Sequence, residues 1–413
     1  MNWKTKQQNN QKSIHDYWVA FVVFCSISPY FLWKTFTHSD LNIVVLIELI
    51  FIISQLGLSI LHRNTLILKE RAKLISFLLL IGVLIYLFNG DGLDFYPARL
   101  IPIIAITVII SFNDKKVLRI YDCYMTLVAL SLIMGIGIYL LNLLGVNIPY
   151  NELVAQNEGK TEVYQFYRQY FGAVQIDSLY ADIMPRLCGM FDEPGVVGTF
   201  CALFLVSKRF DLKDWRTYIF LLGGLLSLSL AFFFLVILGL TLFSLNRDNK
   251  VLKIILIVLC VSMFVLTSYP ALLDYILSRI GNGNIFSIMS GRMTNVNSYN
   301  QEMSKFWSTD LRHLLFGMGY NASMKNINMA GSYYYTMPIY DHGLLGTVLI
   351  VTWFVQLIKC IVNRCEFQST KRNIFILTIV FVGSIAQRPY VLSIPYVVTL
   401  MGGALMMVDD EVI

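Results

Sequence analysis

The stretch YIFLLGGLLSLSLAFFFLVILGLTLFSL, residues 218–245, contains no charged side chain. A helix crosses the hydrocarbon of a bilayer in about 20 residues, so this run is too long for one upright span and short for two. Its flanks settle the reading. Lys208, Arg209, Lys213 and Arg216 precede it, and Arg247, Lys250 and Lys253 follow it. Lys and Arg concentrate in cytoplasmic loops, so both ends belong on the cytoplasmic side and the run is a hairpin of two short spans. The tip falls near 227–231. A single tilted helix is the alternative, and it places the later basic link, Arg364 to Arg372, outside.

The same rule orders the rest of the chain. Apolar runs at 17–36, 41–61, 72–89 and 95–112 make four spans. Basic links follow the second (His62, Arg63, Lys69, Arg71, Lys73) and the fourth (Lys115, Lys116, Arg119), whereas Asp91 and Asp94 follow the third. The N-terminus is therefore cytoplasmic. A fifth span at 118–145 leads to a polar segment, 146–185, the first large external loop. The sixth starts at Pro194 and returns to Lys208. Beyond the hairpin come a ninth span at 254–270, a second large external segment at 271–340, and spans at 342–361, 374–387 and 390–407. The count is about twelve transmembrane helices with both termini inside. The fold class is an all-α polytopic membrane protein, with residues 1–413 forming a single integral membrane domain.

Composition agrees. The chain is 56% hydrophobic and 14% charged, against about 45–50% and 25% for a soluble domain. The net charge of +6 sits in short loops between apolar runs, so it points to membrane topology and not to nucleic acid. Met1 to Lys12 is polar and basic with no cleavage site after the first apolar run, which predicts a retained first helix. The seven cysteines are scattered without a CxxC pair or metal-ligand spacing and read as small buried hydrophobes.

Four polar clusters fall on the external side: RLCGMFDEPGVVG (Arg186 to Gly198), Ser290 to Arg292, Asp341 with His342, and Arg388. Ionisable groups beside hydrocarbon are costly unless they have partners or line an aqueous cavity. Taken singly each has an ordinary reading. Pro194 suits a first helical turn with Asp192 and Glu193 at its positive end, and an external arginine can bind headgroups. Taken together, Arg186, Arg292 and Arg388 suit a polyanion, because guanidinium binds phosphate bidentately and keeps its charge when partly buried. A neighbouring carboxylate can serve as a base. No nucleotide-binding loop, HExxH helix or nucleophile elbow is present, so the substrate arrives from the membrane, and no metal or cofactor is called for.

Tyr164, Tyr167, Tyr170, Trp307 and Tyr333 to Tyr335 suit either stacking on sugar rings or an interfacial belt. Phe306, Trp307, Leu311, Leu314, Leu315 and Phe316 predict a short amphipathic helix lying on the membrane or covering a cavity. The halves of the chain do not repeat one another.

RLCGMFDEPGVVG, the SGR at Ser290 to Arg292, LLFGMGY (Leu314 to Tyr320) and YDHGLLG (Tyr340 to Gly346), in that order among about twelve spans, resemble the Wzy-type O-antigen polymerases and their relatives, the O-antigen ligases. The resemblance covers about 185–350 and the overall topology. It implies a glycosyltransferase of the bacterial inner membrane with a GT-C-like helical fold. Its two large loops are then periplasmic, its substrate is undecaprenyl-pyrophosphate-linked oligosaccharide, and a chain-length regulator protein is a further partner. Arg186 and Arg292, with Arg388, then hold the leaving pyrophosphate. Glu193 is the first choice of base, with Asp341 and His342 second. Ligases are expected to carry a His upstream of the GLLG element, where this chain has Ser332, which favours polymerase. A lipid-linked-oligosaccharide flippase or other transporter is the non-enzyme rival; large loops on one face and the missing repeat stand against it.

Overall fold

The computed structural model describes residues 12–27, 29–32, 43–62, 71–87, 100–153, 167–176, 185–244, 296–319, 322–323, 336–385 and 392–409. They are mostly helical. Helix α1 (Ile14–Cys25) opens on a reciprocal cap, in which the Ser13 hydroxyl accepts from the Asp16 amide at 3.2 Å and the Asp16 carboxylate accepts from the Ser13 amide at 2.9 Å. It ends at Cys25, well short of residue 36, with Pro29 just beyond. Helices α2 (Ile43–His62), α3 (Ala72–Leu87) and α4 (Ile101–Ser111) follow, then α5 (Asp114–Leu143), capped by the Asn113 side chain. Further on are α6 (Pro194–Ser207), α7 (Trp215–Leu226), α8 (Leu230–Ser244), α9 (Val296–Trp307), α10 (Leu311–Phe316), α11 (Met337–Val362), α12 (Gln368–Ile385) and α13 (Ile394–Asp409). The expected ninth span, 254–270, lies outside the described residues.

The hairpin inferred from charge is present. The chain leaves helix at Ser227 and re-enters at Leu230, with Leu228 between them at a positive φ of 48°. Helix α8 then runs beside α6 in the same direction. A Cβ on Gly198, early in α6, would meet Ser229 and Phe232, and one on Gly239, late in α8, would meet Val206. The rings of Phe210 and Phe243 stand 6.3 Å apart, which returns the end of α8 to the α6–α7 turn.

One end of the bundle gathers the basic links. Lys12 and Arg216 pair with Asp122, Arg119 with Asp16, Lys208 and Arg216 with Asp214, and Arg71 and Arg364 with Asp114. These residues come from the starts of α1, α3, α5 and α7 and the ends of α6 and α11. The starts of α6 and α11 therefore lie at the opposite end.

Among the described residues, two helices, α5 and α11, are long and apolar enough to cross a membrane; several others are shorter and apolar. Their outer faces carry large hydrophobics such as Leu130, Val348 and Val351, each more than half exposed. A water-facing helix would be polar there, so the surface supports membrane association.

The fold is not all-α. A four-stranded antiparallel sheet in the order β1 (Asn151–Leu153), β2 (Tyr167–Tyr170), β3 (Ala173–Ile176), β4 (Arg186–Gly189) occupies parts of the first large loop and the stretch after it. Strands β2 and β3 turn through Phe171 and Gly172, the latter at a φ of 77° that favours glycine. The sheet packs on the second half of α5, where a Cβ on Gly135 would meet Leu187, Gly189 and Ala173. Tyr167, Val174, Ile176 and Cys188 form its own apolar cluster. Burial of those alternate side chains, with strand pairing to satisfy the backbone, makes a sheet of what otherwise reads as a polar loop.

Candidate functional site

Two assemblies stand at the end opposite the ion pairs. The first is the corner where β4 enters α6. Gly189 takes a φ of 59°, the Phe191 amide donates to the Cys188 carbonyl at 2.9 Å, and the Tyr167 hydroxyl of β2 donates to the Asp192 carbonyl at 2.9 Å. The sheet thus fixes the DEP turn. Glu193 is the residue before the first helical turn of α6, with Pro194 in that turn. It is buried and makes no side-chain cap of its own helix. A carboxylate there is favoured by the positive helix end.

Arg186 opens β4. Its Nε donates to the Ser227 carbonyl at 3.2 Å and its Nη2 to the Leu228 carbonyl at 3.3 Å. The guanidinium therefore ties the corner to the α7–α8 tip and answers carbonyls that the end of α7 leaves open. Its Nη1, which carries two N–H groups, has no hydrogen-bond partner among the described residues, so donors stay available to an anion.

The second assembly joins the LLFGMGY and YDHGLLG segments. Helix α10 ends at Gly317 with a φ of 83°, and α11 is broken at Gly343 with a φ of 69° and a ψ of −179°. The two glycines cross backbone to backbone. A Cβ on Gly317 would collide with the Asp341 carbonyl, and one on Gly343 with the Leu315 carbonyl. Across the crossing, the Met318 amide donates to the Tyr340 carbonyl at 2.8 Å and the Gly319 amide to the Asp341 carbonyl at 3.1 Å. Phe306 of α9 packs under it with Met303, Met337 and Tyr340. The expected amphipathic helix is thus two helices, α9 and α10, divided at Ser308 to Asp310.

Asp341 accepts from the Ser323 amide at 2.7 Å through Oδ1 and from the Ser323 hydroxyl at 2.9 Å through Oδ2. Both oxygens accept from one residue, so the carboxylate ties Ser323, beyond the end of α10, to the first turns of α11. His342 makes no hydrogen bond to a described residue. Its ring lines an apolar cleft with Ile81 and Leu84 of α3, Phe316 of α10, and Leu345 and Leu349 of α11. Gly346 leaves space for it, since a Cβ there would stand 2.9 Å from the His342 Cβ.

Of the residues expected to act together, Arg186 and Glu193 share the β4–α6 corner, while Asp341 and His342 share the glycine crossing on other elements. Arg292 and Arg388 lie outside the described residues, as do Tyr164 and Tyr333 to Tyr335. Tyr167 and Tyr170 are buried in the sheet and are not free to stack on a sugar, whereas Trp307 is half exposed. Sequence reasoning did not single out Ser323, whose role depends on a contact with a distant residue. It passed over the Tyr167 hydroxyl for the same reason. Among the described residues, no group of His, Cys, Asp and Glu side chains could hold a metal ion. No family model matches the chain, and neither a curated protein nor a solved structure matches it.

Chemically, this end offers an arginine with spare donors, a buried carboxylate on the same β4–α6 corner, and an imidazole in the lining of an apolar cleft. The arginine and the carboxylate can hold an anion and accept a proton. The imidazole places a proton acceptor where an apolar chain fits.

Proposed function

We propose that the chain is an O-antigen polymerase of the Wzy type, with about twelve spans in a GT-C-like arrangement in the bacterial inner membrane and both termini cytoplasmic. It joins undecaprenyl-pyrophosphate-linked oligosaccharide repeat units at the periplasmic face. What carries the reading is the interlock of LLFGMGY with YDHGLLG through Gly317 and Gly343. Two short sequences that mark the resemblance form one built structure, at the end opposite the basic links. That end is the periplasmic one when the basic links are cytoplasmic.

In this reading a sugar hydroxyl of one repeat unit attacks the anomeric carbon of the growing chain. The bond to undecaprenyl pyrophosphate breaks with inversion, and the hydroxyl proton passes to Glu193. Arg186 holds the leaving pyrophosphate through Nη1, joined by Arg292 and Arg388, and no metal is required. Asp341, whose two oxygens also accept from Ser323, and His342 are together the second candidate for the base.

The test is a deletion strain complemented with variants and scored on a gel of lipopolysaccharide. Glu193→Gln is expected to remove long chains while single capped repeat units still reach the surface. Absence of all surface repeat units would favour the flippase reading. Long chains stranded on the lipid carrier would favour the ligase.

A further inference from the structure

Glu48 stands in the apolar run of α2 with 3% of its surface exposed. The reading given above for glycosyl transfer makes no use of it. Ser26, which closes α1, places its Oγ 2.9 Å from Glu48 Oε1 and 2.9 Å from the Val22 carbonyl oxygen. The Ser26 hydroxyl has one proton to give, and the Val22 carbonyl already accepts from the Ser26 amide at 3.0 Å, so the hydroxyl is free to serve the carboxyl. Among the described residues this neutral hydroxyl is the one hydrogen-bond partner of Glu48, and the carboxyl Oε2 is buried with none.

Among the described residues, nothing packed against Glu48 offers a compensating charge. Helix α4 has no ionisable side chain. The ionisable groups of α1 are His15, Asp16, Tyr17 and Cys25. His15 is bonded to Gln55 at 2.9 Å, about two turns along α2 from Glu48. Asp16 is paired with Arg119, Tyr17 is exposed, and Cys25 is a buried thiol. A buried charge without a counter-ion is strongly disfavoured, and such a group stays neutral instead.

We infer that Glu48 is a proton-binding site inside the apolar body of the protein, held as a neutral acid, and that a lipid-soluble carbodiimide attaches to it covalently. The chemistry balances without a co-reactant. The carboxyl oxygen bonds to the central carbon of the N=C=N group, the acid proton moves to a carbodiimide nitrogen, and nothing leaves. Migration of the acyl group from oxygen to nitrogen then gives a stable N-acylurea. The acid must be protonated to supply that proton, and the reagent must be apolar to reach it.

The full-length protein in membrane vesicles is treated with dicyclohexylcarbodiimide, or with a water-soluble carbodiimide plus glycine ethyl ester, then digested and analysed by mass spectrometry. The expected result is one dicyclohexylcarbodiimide adduct on Glu48, several-fold weaker as the pH is raised, and absent from Glu48→Gln. Three results would each overturn the inference: no adduct on Glu48 in the natural protein, equal modification by the water-soluble reagent, or protection by sodium or lithium at fixed pH. The last would assign the site to a metal cation instead of a proton. None of these outcomes depends on glycosyl transfer.

Discussion

The two ends of the bundle treat carboxylates differently. At the basic end, Asp16, Asp114, Asp122 and Asp214 each meet at least one cation. At the other end, the pairs Glu302 with Lys305 and Asp310 with His313 each stay within one helical turn, Asp341 accepts from the neutral donors of Ser323, and the close contacts between elements are between glycine backbones. The first pattern joins helix ends through charge. The second ties Ser323 to α11 with neutral bonds, and at the β4–α6 corner the Arg186 guanidinium bonds backbone carbonyls and no carboxylate among the described residues. Charge at one end joins separate helices; at the other, the Arg186 guanidinium keeps donors unused among the described residues.

The largest effect expected from this contrast is at Arg216, which joins Asp122 at 2.7 Å and Asp214 at 2.7 Å. Arg216→Ala removes charge-assisted hydrogen bonds to two partly buried carboxylates, which keep Lys12 and Lys208 as partners, and is expected to cost about 3 kcal/mol. Thermal unfolding in detergent measures it against Lys305→Ala, which removes an exposed pair with Glu302 and should cost less than about 1 kcal/mol. Equal shifts would show that ion pairs do not hold the basic end together.

Next in size is Gly343→Ala. The positive φ alone costs about 1–3 kcal/mol for a residue with a Cβ, and the collision with the Leu315 carbonyl adds to it. Gly137→Ala is the matched control: nothing stands within 4 Å of its Cβ position, and the change should stabilise α5 by about 0.5–1 kcal/mol. If Gly343→Ala were as harmless, the crossing would not be a built feature.

Asp341→Asn and Ser323→Ala are each expected to cost about 1–2 kcal/mol. Because they break one shared interaction, the double variant should be little worse than either single one. Full additivity in the cycle would separate the two residues.

The smallest effect is in pH. Burial alone would raise the Asp214 carboxyl, but hydrogen bonds from Arg216 and Lys208 outweigh it and hold the group well below the usual carboxylate range. A depressed folded value contributes stability that is fully present above the unfolded pKa, about 4. That contribution is lost as the pH falls through the folded value. Asp214→Asn should flatten this acid limb of a melting-temperature profile while leaving its slope near neutral pH unchanged.

Much of the helical framework is legible in the residues. Long apolar runs have no stable state in a bilayer except helix, and the alternation of basic and acidic links orders their directions. The hairpin at 218–245 was readable because the charges on both sides have the same sign. The sheet was less visible. Its strands are three or four residues long, and β4 comes from beyond the polar loop that supplies its partner. The runs YRQY and AVQI on either side of Phe171 and Gly172 were the available signal, a pair of short alternating segments around a turn. In the candidate site, Glu193 at the start of α6 follows from the DEP sequence. The clamp from Ser323 to Asp341 does not, since nothing local distinguishes that serine from others nearby.

The sequence by itself determined where helices run and which ends carry the cations, because hydrophobic length and charge sign are properties of local segments. Only the tertiary structure decided what each polar group faces. Whether an arginine caps a turn, a carboxylate ties two segments together or a glutamic acid stays neutral depends on partners remote in the chain. Those partners are set by packing, and packing is not written in any one segment.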